Sequence, residues 1–394
     1  MSGHALVLNA GSSSLKFALY ALDAEPKLLL TGLVERIGEA PALSAKDAAG
    51  APVPPPPAPP GVDHQAAVAQ VLSLVSSRHP EASIDAVGHR VVHGGPHLEA
   101  PTLVDDAVLA ELERLEPFAP LHQPHNLAGI RAARAAFPTA RQIACFDTAF
   151  HRNHPWVNDV FALPREYIDK GVRRYGFHGL SYDYVSGELS RLAPDLHSGR
   201  VVVAHLGNGA SMCGMLAGRS VGSTMGFSAL DGLPMGTRSG QLDPGVLLYL
   251  MEQEGLSAAE ISDLLYRRSG LLGLSGLSND MRTLEAADTP EARQAIDYFV
   301  FRIRRELGAL AAVLGGLDAF VFCGGIGENS AMVRRRVCEG MAWLGIEMDA
   351  DLNARGDGRV SADDSRVRVL VVPTDEEIVI ARAAAALMRR EAAA

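Results

Sequence analysis

Four short segments of this chain place small or acidic residues at the ends of apolar runs, and three of them contain glycine. The first is NAGSSS, Asn9 to Ser14, which interrupts two alternating apolar runs and is followed by Lys16. Glycine with clustered hydroxyls exposes backbone N–H groups and Ser O–H groups together, a combination suited to an anion. A plain two-residue turn needs only Asn-Gly or Asp-Gly. A solvated polar loop is the alternative. The second segment, HLGNGAS, repeats the device from His205 to Ser211. The third, CGGIGENS, follows an apolar run and places Glu328, Asn329 and Ser330 to open a helix. Glycines admit a ligand close to the backbone, and a helix N-terminus favours negative charge. The fourth, PTDEE, has the Thr374 to Glu377 spacing of a capping box before a long C-terminal helix.

The elements around these segments read as strands and helices. Leu6 to Tyr20 predicts two antiparallel strands joined by Asn9–Ser14, and Arg200 to Leu216 predicts a second such hairpin. QAAVAQVLSLVSSRHP has helical periodicity up to Pro80, and IDAVGHRVVHGG alternates like a strand before a double glycine. His89, His93 and His97 lack the spacing of metal ligands on a helix. Gly50 to Asp63, dense in proline, predicts an extended surface excursion.

Global properties narrow the class. With 394 residues, 47% hydrophobic and 21% charged, the chain reads as a globular protein of two or three domains. A formal net charge of -10 argues against nucleic acid or an anionic membrane as its main partner, so anions must be bound locally. No apolar run approaches the roughly 18 to 20 residues of a membrane span, and no basic leader precedes one, so the cytoplasm is the expected location. Cys145, Cys213, Cys323 and Cys338 form no CxxC pair and are expected as reduced core residues. No segment matches GxxxxGK[ST], and GNGASM and GIGENS each lack the third glycine of a dinucleotide fingerprint. What remains is a nucleotide cradled by paired hairpin turns from two related halves.

The motifs NAGSSSLKF, GHRVVHGG, CFDTAFH, RRYGFHG, HLGNGAS, MGTRSG, GGIGEN and PTDEE, in this order, resemble those of the acetate/propionate kinase family. The resemblance implies an α/β fold of the actin-like ATPase superfamily: a duplicated RNase H-like core in two domains, with nucleotide in the interdomain cleft. The implied domains are residues 1–148 with 378–394, and residues 149–377. It also implies reversible transfer of the ATP γ-phosphoryl group to acetate, giving acetyl phosphate and ADP, in a protein that is commonly a homodimer.

That reaction brings two anions together, and unit like charges 4 Å apart repel by about 4 kcal/mol at an effective dielectric near 20. Cations are needed at the contact. Arg90 and Arg238 are the candidates, because guanidinium pairs bidentately with carboxylate or phosphoryl oxygens. The resemblance places both at the acyl-phosphate site, with His178 as donor to an equatorial phosphoryl oxygen and Asp147 as an orienting or proton-handling carboxylate. It assigns Val92, Leu121 and Phe177 to a small apolar substrate pocket and puts His122 beside them. Ser12, Ser14 and Lys16 are expected to face phosphates, as are His205, Leu206, Gly207, Asn208 and Gly209. Gly325, Ile326, Gly327, Glu328 and Asn329, with Asp280, Met281 and Arg282, are expected at the nucleotide. Magnesium, with manganese as an alternative, is implied at Asn9 and Glu376. An acetate carboxylate is already ionised at pH 7 and needs no general base, whereas a sugar hydroxyl would. Asp147 would also suit a sugar-type kinase. Ala229, Tyr182 and Gln241 depart from the family pattern, and Ala229, where proline is common, leaves propionate as an alternative acceptor.

Overall fold

The computed structural model describes residues 3–11, 13–57 and 61–393. They fall into two compact units, one of residues 1–150 with 375–394 and the other of residues 151–374. These limits lie two residues after and three before the divisions at 148 and 378 expected from sequence.

The first unit is built on one sheet. Its strands are β1 (His4–Ala10), β2 (Ser14–Ala21), β3 (Lys27–Glu35), β4 (Ala42–Asp47), β5 (Pro52–Val53), β6 (Ile84–Val91), β7 (Thr102–Leu103) and β8 (Arg141–Phe146). They lie in the order β5-β4-β3-β2-β1-β6-β8-β7. β1 to β5 form an antiparallel meander, while β6 pairs parallel with both β1 and β8. β1 and β6 are each buried over most of their length because both of their faces are covered. Leu6, Leu8, Leu15 and Phe17 pack with Val68, Val71 and Leu74 of the helix His64–Arg78 and with Ala132 and Ala133 of the helix Gln123–Ala136. The C-terminal helix, Glu376–Ala393, packs on β1, β6 and β8. Gly88 in β6 permits this contact: a Cβ there would lie 2.4 Å from Ile380 Cγ2. Of the proline-rich excursion, Pro52–Val53 pairs with β4 at the sheet edge, where a missing N–H is tolerated, and Pro54 to Pro57 have no regular structure.

The second unit has six strands: β9 (Arg200–Leu206), β10 (Ala210–Leu216), β11 (Arg219–Ser223), β12 (Ala319–Cys323), β13 (Gly358–Arg359) and β14 (Arg368–Val371). Their order is β11-β10-β9-β12-β14-β13. β9, β10 and β11 are antiparallel, and β12 pairs parallel with β9 and β14. The central pattern, three antiparallel strands followed by two parallel ones beside the first, is therefore the same in both sheets. Phe299, Ile303 and Leu307 of the long helix Pro290–Leu314 are buried, as are Val201, Val203, Phe320 and Phe322 of the sheet. The two glycine-rich hairpins occupy corresponding places: β1 turns into β2 after Ala10, and β9 into β10 after Leu206.

Two local expectations need correction. GIGENS does not wait for Glu328 to begin a helix; a short helix already spans Gly324–Asn329, and Ser330 caps the next one, Ala331–Cys338, by accepting from Val333 N. The capping box from Thr374 to Glu377 does not form. Asp375 caps instead, its Oδ1 accepting from Ile378 N at 3.0 Å. Thr374 turns to Glu328, and Glu377 accepts a Lys16 ion pair.

Candidate active site

In the first unit the site centres on Arg90, at the end of β6. Its Nε donates to Asp147 Oδ1 at 2.9 Å and its Nη2 to Asp147 Oδ2 at 2.8 Å, a bidentate pair. Nη1 meets Glu376 Oε2 at 2.8 Å. Asp147 comes from the turn after β8, its N–H donating to Val91 O, and Glu376 opens the C-terminal helix. Burial opposes the charge on Arg90, but the carboxylates of Asp147 and Glu376 outweigh it and push its pKa further up, so this cation is permanent. Guanidinium has five N–H donors and three are committed here, which leaves one N–H on each terminal nitrogen for an anionic ligand.

In the same unit Val92, two residues after Arg90, is buried, and Leu121 and His122 are partly buried ahead of the helix Gln123–Ala136. A residue not anticipated from sequence, Asn126, ties these elements together. Its Oδ1 accepts from Val92 N at 3.0 Å and its Nδ2 donates to Ala10 O at 2.9 Å, so one buried amide joins β6 to the end of β1. No signal in the sequence set it apart, since Gln123 and His125 share the first turn of the same helix. On the NAGSSS segment, Gly11 N donates to Ser14 O at 2.8 Å, and Asn9 pairs across the hairpin with Lys16. Ser12 lies outside the described residues. Lys16 is not a free cation: its Nζ is 2.9 Å from the buried carboxylate of Glu377.

In the second unit His178 and Arg238 converge on Gly209. A Cβ placed on Gly209 would lie 3.2 Å from His178 Nε2 and 3.9 Å from Arg238 Nη1. His178 has left-handed backbone geometry, φ +57°, at the start of the helix Gly179–Leu192, a conformation uncommon outside glycine and often kept at functional sites. Its Nδ1 is 2.8 Å from Ser211 Oγ, and its ring stacks on His205 with centroids 4.3 Å apart. Phe177 beside it is buried. Arg238 donates to Ala229 O at 3.0 Å, so the Ala229 departure contributes its carbonyl to the holding of this arginine. The Gln241 departure is also resolved, since its Oε1 accepts from both Arg302 and Arg305.

A cleft of about 680 Å³ opens beside this cluster, lined by Gly207, Asn208, Asp280, Met281, Arg282, Gly325, Ile326 and Asn329, together with Asn279, Glu285 and Ser330. The structure thus gathers three sequence-distant segments at one cavity. Asp280 caps the helix Met281–Ala286 and pairs with the exposed Arg282 at 2.6 Å. Asn279 and Glu285 were missed because their partners, Asn208 Oδ1 and the Ser330 hydroxyl, come from other segments. Gly324 is required for the closeness of the third segment: its φ is +74° and a Cβ would come within 2.8 Å of Leu206 O. Leu206 and Gly327 are buried in the walls behind the cavity. Glu328 Oε1 accepts from Gly324 N at 2.8 Å and from Thr374 N at 3.1 Å, so one carboxylate oxygen holds the loop itself.

The two units share one three-plus-two α/β sheet plan, and the second carries a glycine-lined cavity near His178 and Arg238. The acetokinase family model matches residues 4–382. The acetate kinase of Methylocella silvestris is 59% identical over the full length of both chains, and that of Rhizobium meliloti is 50% identical over 97% of this chain and 98% of its own. Among solved structures, Porphyromonas gingivalis acetate kinase superposes with a TM-score of 0.87 at 39% identity, covering 98% of this chain and all of its own. A Francisella tularensis propionate kinase gives 0.90 at 36%, covering 97% and 98%. The chain belongs to the acetokinase family, whose members are ATP-using kinases that phosphorylate a carboxylate.

Proposed function

We propose that the protein transfers the γ-phosphoryl group of ATP directly and reversibly to acetate. A carboxylate oxygen attacks the γ-phosphorus, the bond to the β,γ-bridging oxygen breaks, and ADP leaves with that electron pair. The observation that carries the reading is Arg90: it is locked by two carboxylates yet keeps two N–H donors for a substrate carboxylate. The acceptor is ionised at neutral pH, so Asp147 has no proton to remove; its part is to hold Arg90. Val92, Leu121 and Phe177 are assigned to the acyl methyl, and His122 to its carboxylate end. Arg238 and His178 take the charge that spreads over the phosphoryl oxygens, and His205 to Gly209 take the phosphates. Ser14 and Lys16 serve the phosphates from the other hairpin, Lys16 after exchanging Glu377 for the anion. Catalysis by this arrangement rests on positioning and charge neutralisation.

No cluster of three or more His, Cys, Asp or Glu suited to a metal exists among the described residues. One carboxylate and one amide nevertheless fit magnesium, which keeps several waters and binds mostly through substrate phosphates. Glu376 and Asn9 are the residues assigned to hold it. When bound, the ion would neutralise charge on the β- and γ-phosphates.

A homodimer is the assembly we assign. The helix Pro244–Glu252 has no buried residue although Val246, Leu248, Tyr249 and Met251 are all exposed apolar side chains, and a second copy would cover them. Cytoplasmic residence accords with four buried cysteines outside any disulfide and with the use of ATP. No helix among the described residues is long and apolar enough to cross a membrane.

The test is acyl hydroxamate trapping and ADP release with Mg-ATP and acetate, propionate, butyrate or glycerol, in the native protein and in Arg238→Ala. Hydroxamate from acetate, lost in the variant, is the expected result. ADP release with glycerol alone would refute the carboxylate acceptor, and a higher kcat/KM with propionate would refute acetate as the preferred acid.

A further inference from the structure

We propose that Tyr182 and Ser211 form a positioning pair that fixes the His178 imidazole in the tautomer carrying its hydrogen on Nε2. This deepens the reading of His178 as the donor to the transferring phosphoryl group and rests on it. Such a donor needs a hydrogen on the nitrogen that faces the substrate, and Nε2 is the one beside Gly209 and the Arg238 guanidinium. A neutral imidazole has one N–H, so whatever bonds to Nδ1 decides whether Nε2 donates or accepts.

The partner of Nδ1 is Ser211 Oγ at 2.8 Å, and Ser211 Oγ is in turn 2.5 Å from the Tyr182 hydroxyl. Both residues are fully buried. A serine hydroxyl has a single hydrogen, so it can give it either to His178 or to Tyr182. The phenol is the stronger acid of the two hydroxyls and the better donor, which sends the Tyr182 hydrogen to Ser211 and the Ser211 hydrogen to Nδ1. Burial keeps Tyr182 a neutral phenol by raising its pKa well above the usual 10. Hydrogen bonds aligned head to tail in this way polarise one another.

The pair is itself held in place. Tyr182 lies one turn into the helix that His178 begins, its N–H donating to His178 O at 3.1 Å, and its ring meets the His151 ring edge-on at 5.5 Å. His151 Nε2 lies 2.9 Å from Phe177 O, the carbonyl immediately before His178. Ser211 is fixed by its pairing with His205 across the β9–β10 hairpin, so the strand that carries the glycine turn also carries the group that orients the histidine.

The test is nitrogen-15 NMR of the histidine rings in the ligand-free protein, with His178 assigned from the signals lost in His178→Gln, alongside steady-state kinetics. The native protein is expected to show His178 with hydrogen on Nε2 and a bare, hydrogen-bonded Nδ1. Ser211→Ala should give mixed tautomers and lower kcat by about ten- to a hundredfold, the range in which groups that orient a working ligand act, with KM for ATP little changed. Tyr182→Phe, which keeps the ring and its packing, should lower kcat less, and Ser211→Thr should restore most of the rate lost in Ser211→Ala. An Nδ1–H tautomer in the native protein overturns the proposal, as does an unaltered Nε2–H tautomer in both Ser211→Ala and Tyr182→Phe. The native spectrum decides even if a variant fails to fold. Because it is recorded without substrate, absence of acyl phosphate formation would refute the kinase reading without touching the tautomer result.

Discussion

Replacing Asp147 by Asn keeps the shape of the side chain and removes its charge, which separates an orienting carboxylate from a proton acceptor. In the native protein Asp147 receives two hydrogen bonds from Arg90 at 2.8 and 2.9 Å in a site where its own side chain is 2% exposed. The Asn amide can accept only one of them and turns its N–H₂ toward the other guanidinium nitrogen. Charge-assisted bonds contribute about 1.5 to 3 kcal/mol each, so loss of one, with the partial repulsion that replaces it, weakens the holding of Arg90 by about 2 to 3 kcal/mol. If all of that is expressed in the transition state, kcat falls by about thirty- to a hundred-and-sixtyfold, at 1.36 kcal/mol per tenfold. The assay is the initial rate of acyl hydroxamate formation over a range of acetate, in Asp147→Asn, Arg90→Lys and the double variant. Since Asp147 acts through Arg90, the double variant should be little worse than Arg90→Lys alone. A kcat within threefold of native in Asp147→Asn, or fully additive losses in the double variant, would refute the orienting role.

Other consequences follow from the same geometry. Arg334 is buried and donates four hydrogen bonds, to Gly327 O, Glu328 O, Asn353 O and Asn353 Oδ1. Arg334→Met should therefore lower the urea unfolding free energy by about 3 kcal/mol or more, since each stranded buried acceptor costs about 1 to 3 kcal/mol; a loss under about 1 kcal/mol would contradict this. Gly324→Ala should raise KM for ATP and lower Tm, because the left-handed backbone and the nearby Leu206 carbonyl leave no room for a methyl group; unchanged values of both would count against the close approach. His89 and His151 are held neutral by burial, with pKa values pulled down to about 4 and about 3 from 6.5. A lowered folded-state pKa means the unfolded chain binds the proton first, so stability present above pH 6.5 is lost as pH falls toward 3. Thermal unfolding followed by circular dichroism should show that decline between pH 6.5 and 4, and His89→Gln should flatten it. Burial pushes the Cys213 and Cys338 thiols up to about 12, so a thiol reagent at pH 8 should spare both in the folded protein and label them in urea.

The hairpins were legible in the sequence because alternation and glycine turns are local signals, and both turns lie where the sequence puts them. Beside them, β6 was legible as an alternating strand before a double glycine and β12 as an apolar run ending in glycines. Side-chain partners were less legible, since a motif names residue types without naming their targets. Glu328 sits in a glycine-rich loop and looks available, yet the amides of Gly324 and Thr374 both donate to its Oε1. PTDEE reads as a capping box begun by Thr374, yet Asp375 caps the helix and Thr374 is drawn to Glu328. Lys16 reads as a phosphate cation until the fold brings Glu377 to it from 361 positions away in the chain. Asn126 belongs to no motif named above and Ser211 closes HLGNGAS, yet only the fold supplies the strand end or the histidine each one serves.

The central claim is that a carboxylate accepts the phosphoryl group of ATP without an intermediate release of phosphate. Phosphorus-31 NMR of the purified protein with Mg-ATP and acetate tests it most directly. The account predicts acetyl phosphate and ADP rising together in equal amounts, and ATP re-forming when acetyl phosphate and ADP are supplied. ADP accompanied only by inorganic phosphate, with no acyl phosphate resonance at any time, would contradict it.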